Sequence, residues 1–328
     1  MNLRVAARIA LAFVGLGVVA YLVHEAGPAR VAQVLMQAWR WLPLIVLLEA
    51  TQAFGDFVGL RLILRERWAQ VPARTWVRSG SVAYAMMVLL PAGRAAGEVT
   101  RATLLSSHIG TPRAATASTL LQAAYLSANG VLSFAACMVV SATYGSRSLL
   151  AVLLAGNVVV QGMICTGLIL TLRNKPLGDW LERMRLRIFP RARPSLPIEP
   201  EARRTLPFAT AGSCILSRSV QLVQYGIVLR AVGGVATVRN AFVAHGIHLV
   251  GATIGDFVPN QLGVVDSAYR AFAPDLGFAD APARALSIAF VVRISQLIFA
   301  SICVLATALT RHQAERRGSA PARVDAHS

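Results

Sequence analysis

Long apolar blocks, separated by short polar or basic stretches, set the pattern of this chain. The first block, 9–23, follows the basic segment MNLRVAAR. Basic residues ahead of a 15-residue apolar core can also mark a secretory signal. His24, Glu25, Ala26, Gly27 and Pro28 make a poor cleavage site, so the segment is expected to stay as a first span. A second span is expected over 42–64, followed by a basic loop carrying Arg65, Arg67, Arg74 and Arg78. Residues 76–91 are apolar but number only 16, short of the ~20 that a membrane-spanning helix needs. Pro91 to Gly97 breaks that run, and a second short helical piece continues to about Ser107. Further spans are expected at 114–142, 148–172 and 207–232. Residues 240–259 form another short apolar run, ended by Pro259 and followed by Gly263 and a short helix to Phe272. A last span is expected at 283–310, ahead of a polar, basic tail. The pattern predicts an all-α integral membrane protein with about six spanning helices and two re-entrant helical hairpins.

Composition sharpens this picture. Of 328 residues, 55% are apolar and only 14% charged, yet the formal net charge is +17. The mean hydropathy is +0.58. A soluble domain averages about 25% charged residues, so a soluble enzyme and a disordered chain are both excluded. A nucleic-acid partner is excluded as well, because the basic residues punctuate apolar runs and do not gather on a wettable surface. Lys175 is the sole lysine, and the arginine-dominated charge with an Ala, Val and Leu bulk fits a GC-rich bacterial genome. The expected location is therefore a bacterial cytoplasmic (inner) membrane, crossed several times.

Charge also orients the chain. The segment 173–206 holds nine basic and four acidic residues, and at 34 residues it is too short for an independent domain. If 76–107 and 240–273 dip into the membrane and return, both termini, the 65–78 loop and the 173–206 linker all fall in the cytoplasm. This satisfies the positive-inside rule. If each were a complete span, the most basic loop would lie outside.

The two hairpin regions resemble each other. In one, Glu98 follows Pro91 by seven residues, with Arg101 and Gly110 beyond; in the other, Asp266 follows Pro259 by seven, with Arg270 and Gly277 beyond. With the topology above, the copies at about 42–142 and 207–310 form an inverted repeat, a recurring transporter architecture. Pro91, Gly93 and Gly97 in the first copy, and Pro259 and Gly263 in the second, are the expected helix breaks. Backbone groups freed at such breaks cannot face lipid and must line protein or a wet cavity.

Ionisable groups at membrane depth are costly and mark candidate sites. Glu49, Gln52 and Asp56 share one face of the second span, and Arg218, Gln221 and Tyr225 repeat that spacing on the fifth. With Arg293 and Gln296 of the last span, they are expected to line a central cavity, where acids of one half neutralise arginines of the other. Arg94, Glu98 and Arg101, like Asp266 and Arg270, have the spacing to pair along their own helices. Arginines there could grip a lipid phosphate through the bidentate guanidinium fork, with carboxylates as counter-ions or proton acceptors. The alternative is that these are ion pairs that only fix packing.

Other features carry less. Cys137, Cys165, Cys214 and Cys303 lie in apolar runs and read as packed small hydrophobes. His245 and His248 are three apart with no third ligand, so no metal and no cofactor is implied. Gly55 and Gly59 form a GxxxG suited to close helix packing. There is no HExxH, no GxSxG and no Walker lysine.

The stretches LLPAGRAAGEVTRATLL and FVPNQLGVVDSAYRAF resemble the paired signatures of the lysylphosphatidylglycerol synthase transmembrane-region family. This family is also called the flippase-like domain family and includes proteins encoded with hopanoid biosynthesis. Pro91, Gly93, Gly97, Glu98 and Arg101 match the first signature, whereas Val265-Asp266 stands where the second has Gly-Glu. The resemblance covers nearly the whole chain. It implies a lipid translocase-like membrane domain without the soluble aminoacyl-transferase domain of some relatives. The expected function is movement of a polar-headed, anionic or phosphate-bearing lipid, with Arg94, Glu98, Arg101, Asp266 and Arg270 as substrate-binding residues. Rival readings are an intramembrane lipid or glycosyl transferase, and an accessory subunit of a lipid-synthesis complex. Membrane lipids are the expected partners, with a homo-oligomer or lipid-synthesis enzymes as further ones.

Overall fold

A computed structural model describes residues 3–90, 93–173, 183, 208–256 and 258–318. Among them, regular structure is entirely helical. Helices α1 (Leu3–Ala26), α2 (Pro28–Ala38), α3 (Leu42–Leu64), α4 (Ala73–Leu89), α5 (Gly93–Ile109), α6 (Thr111–Tyr144) and α7 (Leu149–Arg173) precede the basic linker. Helices α8 (Phe208–Ala231), α9 (Val238–Gly255), α10 (Val264–Ala271) and α11 (Pro282–Gly318) follow it. Among the described residues, four stretches are long and apolar enough to cross a membrane: Pro28–Gln70, which contains α3, Thr111–Tyr144, Leu149–Arg173 and Pro282–Ala308. The protein is an integral membrane helical protein. The four stretches include the second, third, fourth and sixth spans read from the sequence. The fifth is a 24-residue helix, α8, that carries Arg218, Gln221 and Gln224 on a buried face, which lowers its mean apolarity. Pro91 and, apart from residues 173 and 183, the linker lie outside the described residues.

Sequence reading missed α2, whose apolar stripe is short. Val31, Val34 and Ala38 are buried, whereas Met36 and Trp39 are exposed. Val31 packs with Leu22 and Ala26 of α1 against Ala283 and Leu286 of α11, whereas Val34 and Ala38 join the main core. Inside the main core, α3 and α8 lie backbone to backbone. A Cβ on Gly55 would sit 2.5 Å from the Cβ of Ser217, and one on Gly59 would sit 3.1 Å from Leu121. Hydroxyls staple the pair: Ser217 donates to the Gln52 carbonyl at 2.9 Å and Ser213 to the Gly55 carbonyl at 3.1 Å.

The α4–α5 pair is an antiparallel helical hairpin. Leu90, just before Pro91, is extended (φ −105°, ψ 150°), as expected from the clash that a proline imposes on its predecessor. Gly93 and Gly97 serve close approach: a Cβ on Gly93 would strike the Met87 carbonyl oxygen, and one on Gly97 would lie 2.7 Å from that of Ala83. The α9–α10 pair uses the same device with the glycines on its first arm. A Cβ on Gly251 would sit 3.2 Å from the Val265 Cα, and one on Gly255 would sit 3.1 Å from the Gln261 Cβ. Here α9 ends at Gly255, ahead of Pro259, so the expected break at that proline falls earlier in the chain. The turn to α10 is left-handed at Asn260 (φ 49°), Gln261 (φ 53°) and Gly263 (φ 79°). Non-glycine residues are costly in that region, and asparagine tolerates it best.

Gly97→Ala should therefore push α5 off α4. The expected loss is about 1–3 kcal/mol, read as a lower melting temperature of the detergent-purified protein. Gly167→Ala, with nothing within 4 Å of the added carbon, should melt like the wild type.

Candidate functional site

Two adjoining cavities lie between the helices. The first, about 320 Å³, is polar and bounded by both hairpins. Helix α3 contributes Glu49, Gln52 and Asp56; α8 contributes Arg218 and Gln221; α5 contributes Arg94. Asn260 and Gln261, from the left-handed turn, reach the same space, as do His248 and Gln296. The second cavity, about 390 Å³, is mainly apolar. It lies between α3, the α4–α5 hairpin and α11, with Phe54, Phe57, Trp76 and Phe299 in its lining. Glu98 and Arg101 sit in its wall. Ala53, Asp56, Tyr84, Met87 and Arg94 line both cavities and so form the partition.

At the partition, Arg94 donates to Asp56 at 3.0 Å and lies 3.9 Å from Glu98. Glu98 binds Arg101 at 2.9 Å. The guanidinium carbons of Arg94 and Arg218 lie 3.3 and 3.9 Å from the ring centroid of Tyr125, which offers its π-system to both cations. Arg218 donates to Gln221 at 2.8 Å. Even so, Nε and Nη2 of Arg94 and Nε of Arg218 are buried without a hydrogen-bond partner, as is Oδ1 of Asp56. Buried polar groups are normally satisfied, so these open donors mark a place where an anion would fit.

The second polar centre differs from the sequence expectation. Asp266 pairs with Arg293, at 3.0 and 2.9 Å, and not with Arg270 on its own helix. It also accepts the Gly263 N–H at 2.8 Å. The reason is geometric: near the start of an eight-residue helix, Asp266 turns back to cap the helix and meets α11. Arg270 instead binds Glu25 of α1 at 2.8 Å in a partly exposed pair. Asp266, Arg270 and Arg293 line neither cavity. The expected neutralisation of acids by arginines of the other half is also not what is found. Asp56 takes Arg94 from its own half, and Glu49 is met from the second half by the neutral amide of Gln224 at 2.8 Å.

Several site residues escaped the sequence reading. Tyr84 donates to Glu49 at 2.8 Å. Gln122, Tyr125 and Asn129 of α6, with Gln161 of α7, line the polar cavity. The histidines stack against Tyr225, with ring centroids 5.4 Å away for His245 and 5.3 Å for His248. No group of three metal-ligating side chains occurs among the described residues.

A multi-helix membrane protein with a charged central cavity is the class that these features define. The chain belongs to the lysylphosphatidylglycerol synthase TM region family, whose model matches residues 5–306. No curated protein and no solved structure matches it. Family membership points to a membrane lipid-related function.

Truncating Arg293 would strand Asp266, which has no exposed surface. Breaking a buried pair from one side costs about 3–5 kcal/mol. Arg293→Ala should accordingly be strongly destabilised in a thermal melt, whereas Arg270→Ala, which loses a partly exposed pair, should lose no more than ~1 kcal/mol.

Proposed function

We propose that this protein translocates a polar-headed, anionic or phosphate-bearing lipid across a bacterial cytoplasmic membrane. The observation that carries the reading is the polar cavity between the hairpins, with the open N–H groups of Arg94 and Arg218 at its wall. A headgroup phosphate would take those donors, since guanidinium groups bind phosphate oxygens through short, charge-assisted hydrogen bonds. Asp56 is the resting counter-ion of Arg94 and yields it when the phosphate enters. The apolar cavity behind the partition gives the tails a low-dielectric place beside the headgroup. Arg101, held by Glu98, lies in the wall of that apolar cavity and does not line the headgroup cavity.

Hairpins α4–α5 and α9–α10 act as re-entrant elements of an inverted repeat, about 42–142 and 207–310. Their lengths support this. Helix α4 has 17 residues, about 26 Å at ~1.5 Å per residue, short of the ~30 Å hydrocarbon core. With two re-entrant hairpins, both termini and the 173–206 linker lie in the cytoplasm. A single cysteine at Ser195 in a cysteine-free background should resist an impermeant maleimide added to intact cells and react in inverted vesicles.

The headgroup role has its own test. In reconstituted vesicles, translocation of fluorescent phosphatidylglycerol should fall at least about tenfold in Arg94→Ala and in Arg218→Ala, per folded molecule. That corresponds to ~1.4 kcal/mol, the low end for a hydrogen bond to a charged group. Arg270→Ala should translocate as the wild type does. Full activity in both cavity variants would remove the arginines from the headgroup site.

A further inference from the structure

The buried acids among the described residues are not equivalent. Asp56 holds Arg94 at 3.0 Å, Glu98 holds Arg101 at 2.9 Å, and Asp266 holds Arg293 at 2.9 Å. Glu49, also buried, has no salt bridge among the described residues. Its oxygens accept from neutral donors: the Tyr84 hydroxyl on Oε1 and the Gln224 amide on Oε2, both at 2.8 Å, and the neutral Gln296 lies near. Gln224 is itself fixed, accepting from Gln52 at 2.8 Å and donating to the Ile45 carbonyl at 3.3 Å.

We propose that Glu49 is a proton-binding site that couples the working cycle of this protein to a proton gradient. Protonating Asp56, Glu98 or Asp266 would leave a buried arginine without its counter-charge, at a cost of several kcal/mol. Protonating Glu49 breaks no direct ion pair among the described residues, and Asp56 keeps its charge beside Arg218. The proton also has one defined seat. An amide N–H can only donate, so Oε2 remains the acceptor for Gln224. A hydroxyl can donate or accept, so a proton from cavity water adds to Oε1, and Tyr84 turns from donor to acceptor. One O–H bond forms on the carboxyl group, and no heavy-atom contact has to break.

The surroundings favour this seat. Glu49 and Tyr84 both line the polar cavity, which gives water a route to Oε1. From α8, Arg218 acts on Glu49 through space, and Tyr225 lies near. Helix α4 presents Tyr84, with Cys303 of α11 beside it. Helix α11 otherwise presents the neutral Gln296. His248 of α9, Tyr125 of α6 and Arg94 of α5 line the same cavity, and Asp56 lies two turns along α3. Asp256 and His248, both in the lining of that cavity, are the rival proton acceptors. The Tyr84–Glu49 bond joins the hairpin to α3, so its reversal acts on the element that moves in the translocation cycle; this last step rests on the translocase reading.

Infrared difference spectroscopy of the detergent-purified protein tests proton binding without any lipid assay. As the pH is lowered from about 9 to about 5, a range that spans one carboxyl titration, a protonated-carboxyl C=O band should grow in the wild type. It should be missing in Glu49→Gln and kept in Asp256→Asn, which removes the other carboxylate of the polar cavity without a salt bridge among the described residues. If Glu49→Gln does not fold, Glu49→Asp should displace the band, because the carbonyl frequency depends on the side chain. No band, or one unchanged in both Glu49 variants, overturns the proposal. In vesicles moving fluorescent phosphatidylglycerol, an imposed gradient of about one pH unit, a tenfold ratio of proton activity, should change the wild-type rate several-fold and leave Glu49→Gln unresponsive. A gradient response retained in Glu49→Gln overturns the coupling. An absence of lipid movement in every vesicle overturns the translocase reading instead, and the infrared titration then decides for Glu49.

Discussion

Moving an ionised group out of water costs several kcal/mol per ion even after relaxation, and this constraint organises the centre of the protein. Glu49, Asp56, Arg94, Glu98, Arg101, Arg218 and Asp266 are all buried in a helical membrane assembly. Each acid has found a partner, and the partners come from different elements: α5 for Asp56, α11 for Asp266, α4 and α8 for Glu49. The polar contacts thus fix the register of helices whose apolar surfaces alone would tolerate sliding. The helices supply the matching geometry through small residues, as at Gly55 against Ser217, where backbones approach closely enough for side-chain hydroxyls to reach carbonyls.

The glycines of the two hairpins serve the same end. In the first hairpin they lie on the second arm, Gly93 and Gly97; in the second they lie on the first arm, Gly251 and Gly255. In both cases a spacing of four places the pair on one helix face, so each hairpin is a tight two-helix body. The left-handed turn through Asn260 and Gln261 puts strained backbone against the polar cavity. Such strain persists only where surrounding structure holds it, and here the Asp266 cap on Gly263 is part of that hold.

Much of this was legible from spacing. The face Glu49, Gln52 and Asp56, the partner face on α8, and the small-residue contact at Gly55 and Gly59 all follow from helical periodicity, because both helices are long and regular. Gln122, Tyr125 and Asn129 share that spacing of three and seven and were open to the same argument, yet an Ala-rich surround masked them. The exchange of partners at Asp266 was not legible. The rule that residues four apart pair along a helix assumes a helix long enough for its own surface to be the nearest one, and α10 is only eight residues. Its first turn is governed by the cap, and the cap aims Asp266 at α11. Tyr84 was hidden for a different reason: nothing in a 17-residue helix says that the hydroxyl of its buried tyrosine will meet a carboxylate 35 residues earlier.

The ties of the first hairpin to α3 are therefore unequal in kind. Helices α3 and α4 stand apart along much of their length, and the apolar cavity fills the gap. Two polar contacts bridge it: Arg94 to Asp56, which is ionic, and Tyr84 to Glu49, which joins a neutral donor to a carboxylate. Because the glycine contact locks α4 to α5, the hairpin must shift as one body, and any displacement strains both ties together. An anion that takes over Arg94 weakens the first. A proton on Glu49 reverses the second without disturbing the first. The two ties can thus respond to different ligands, and the partition between the cavities is set by both.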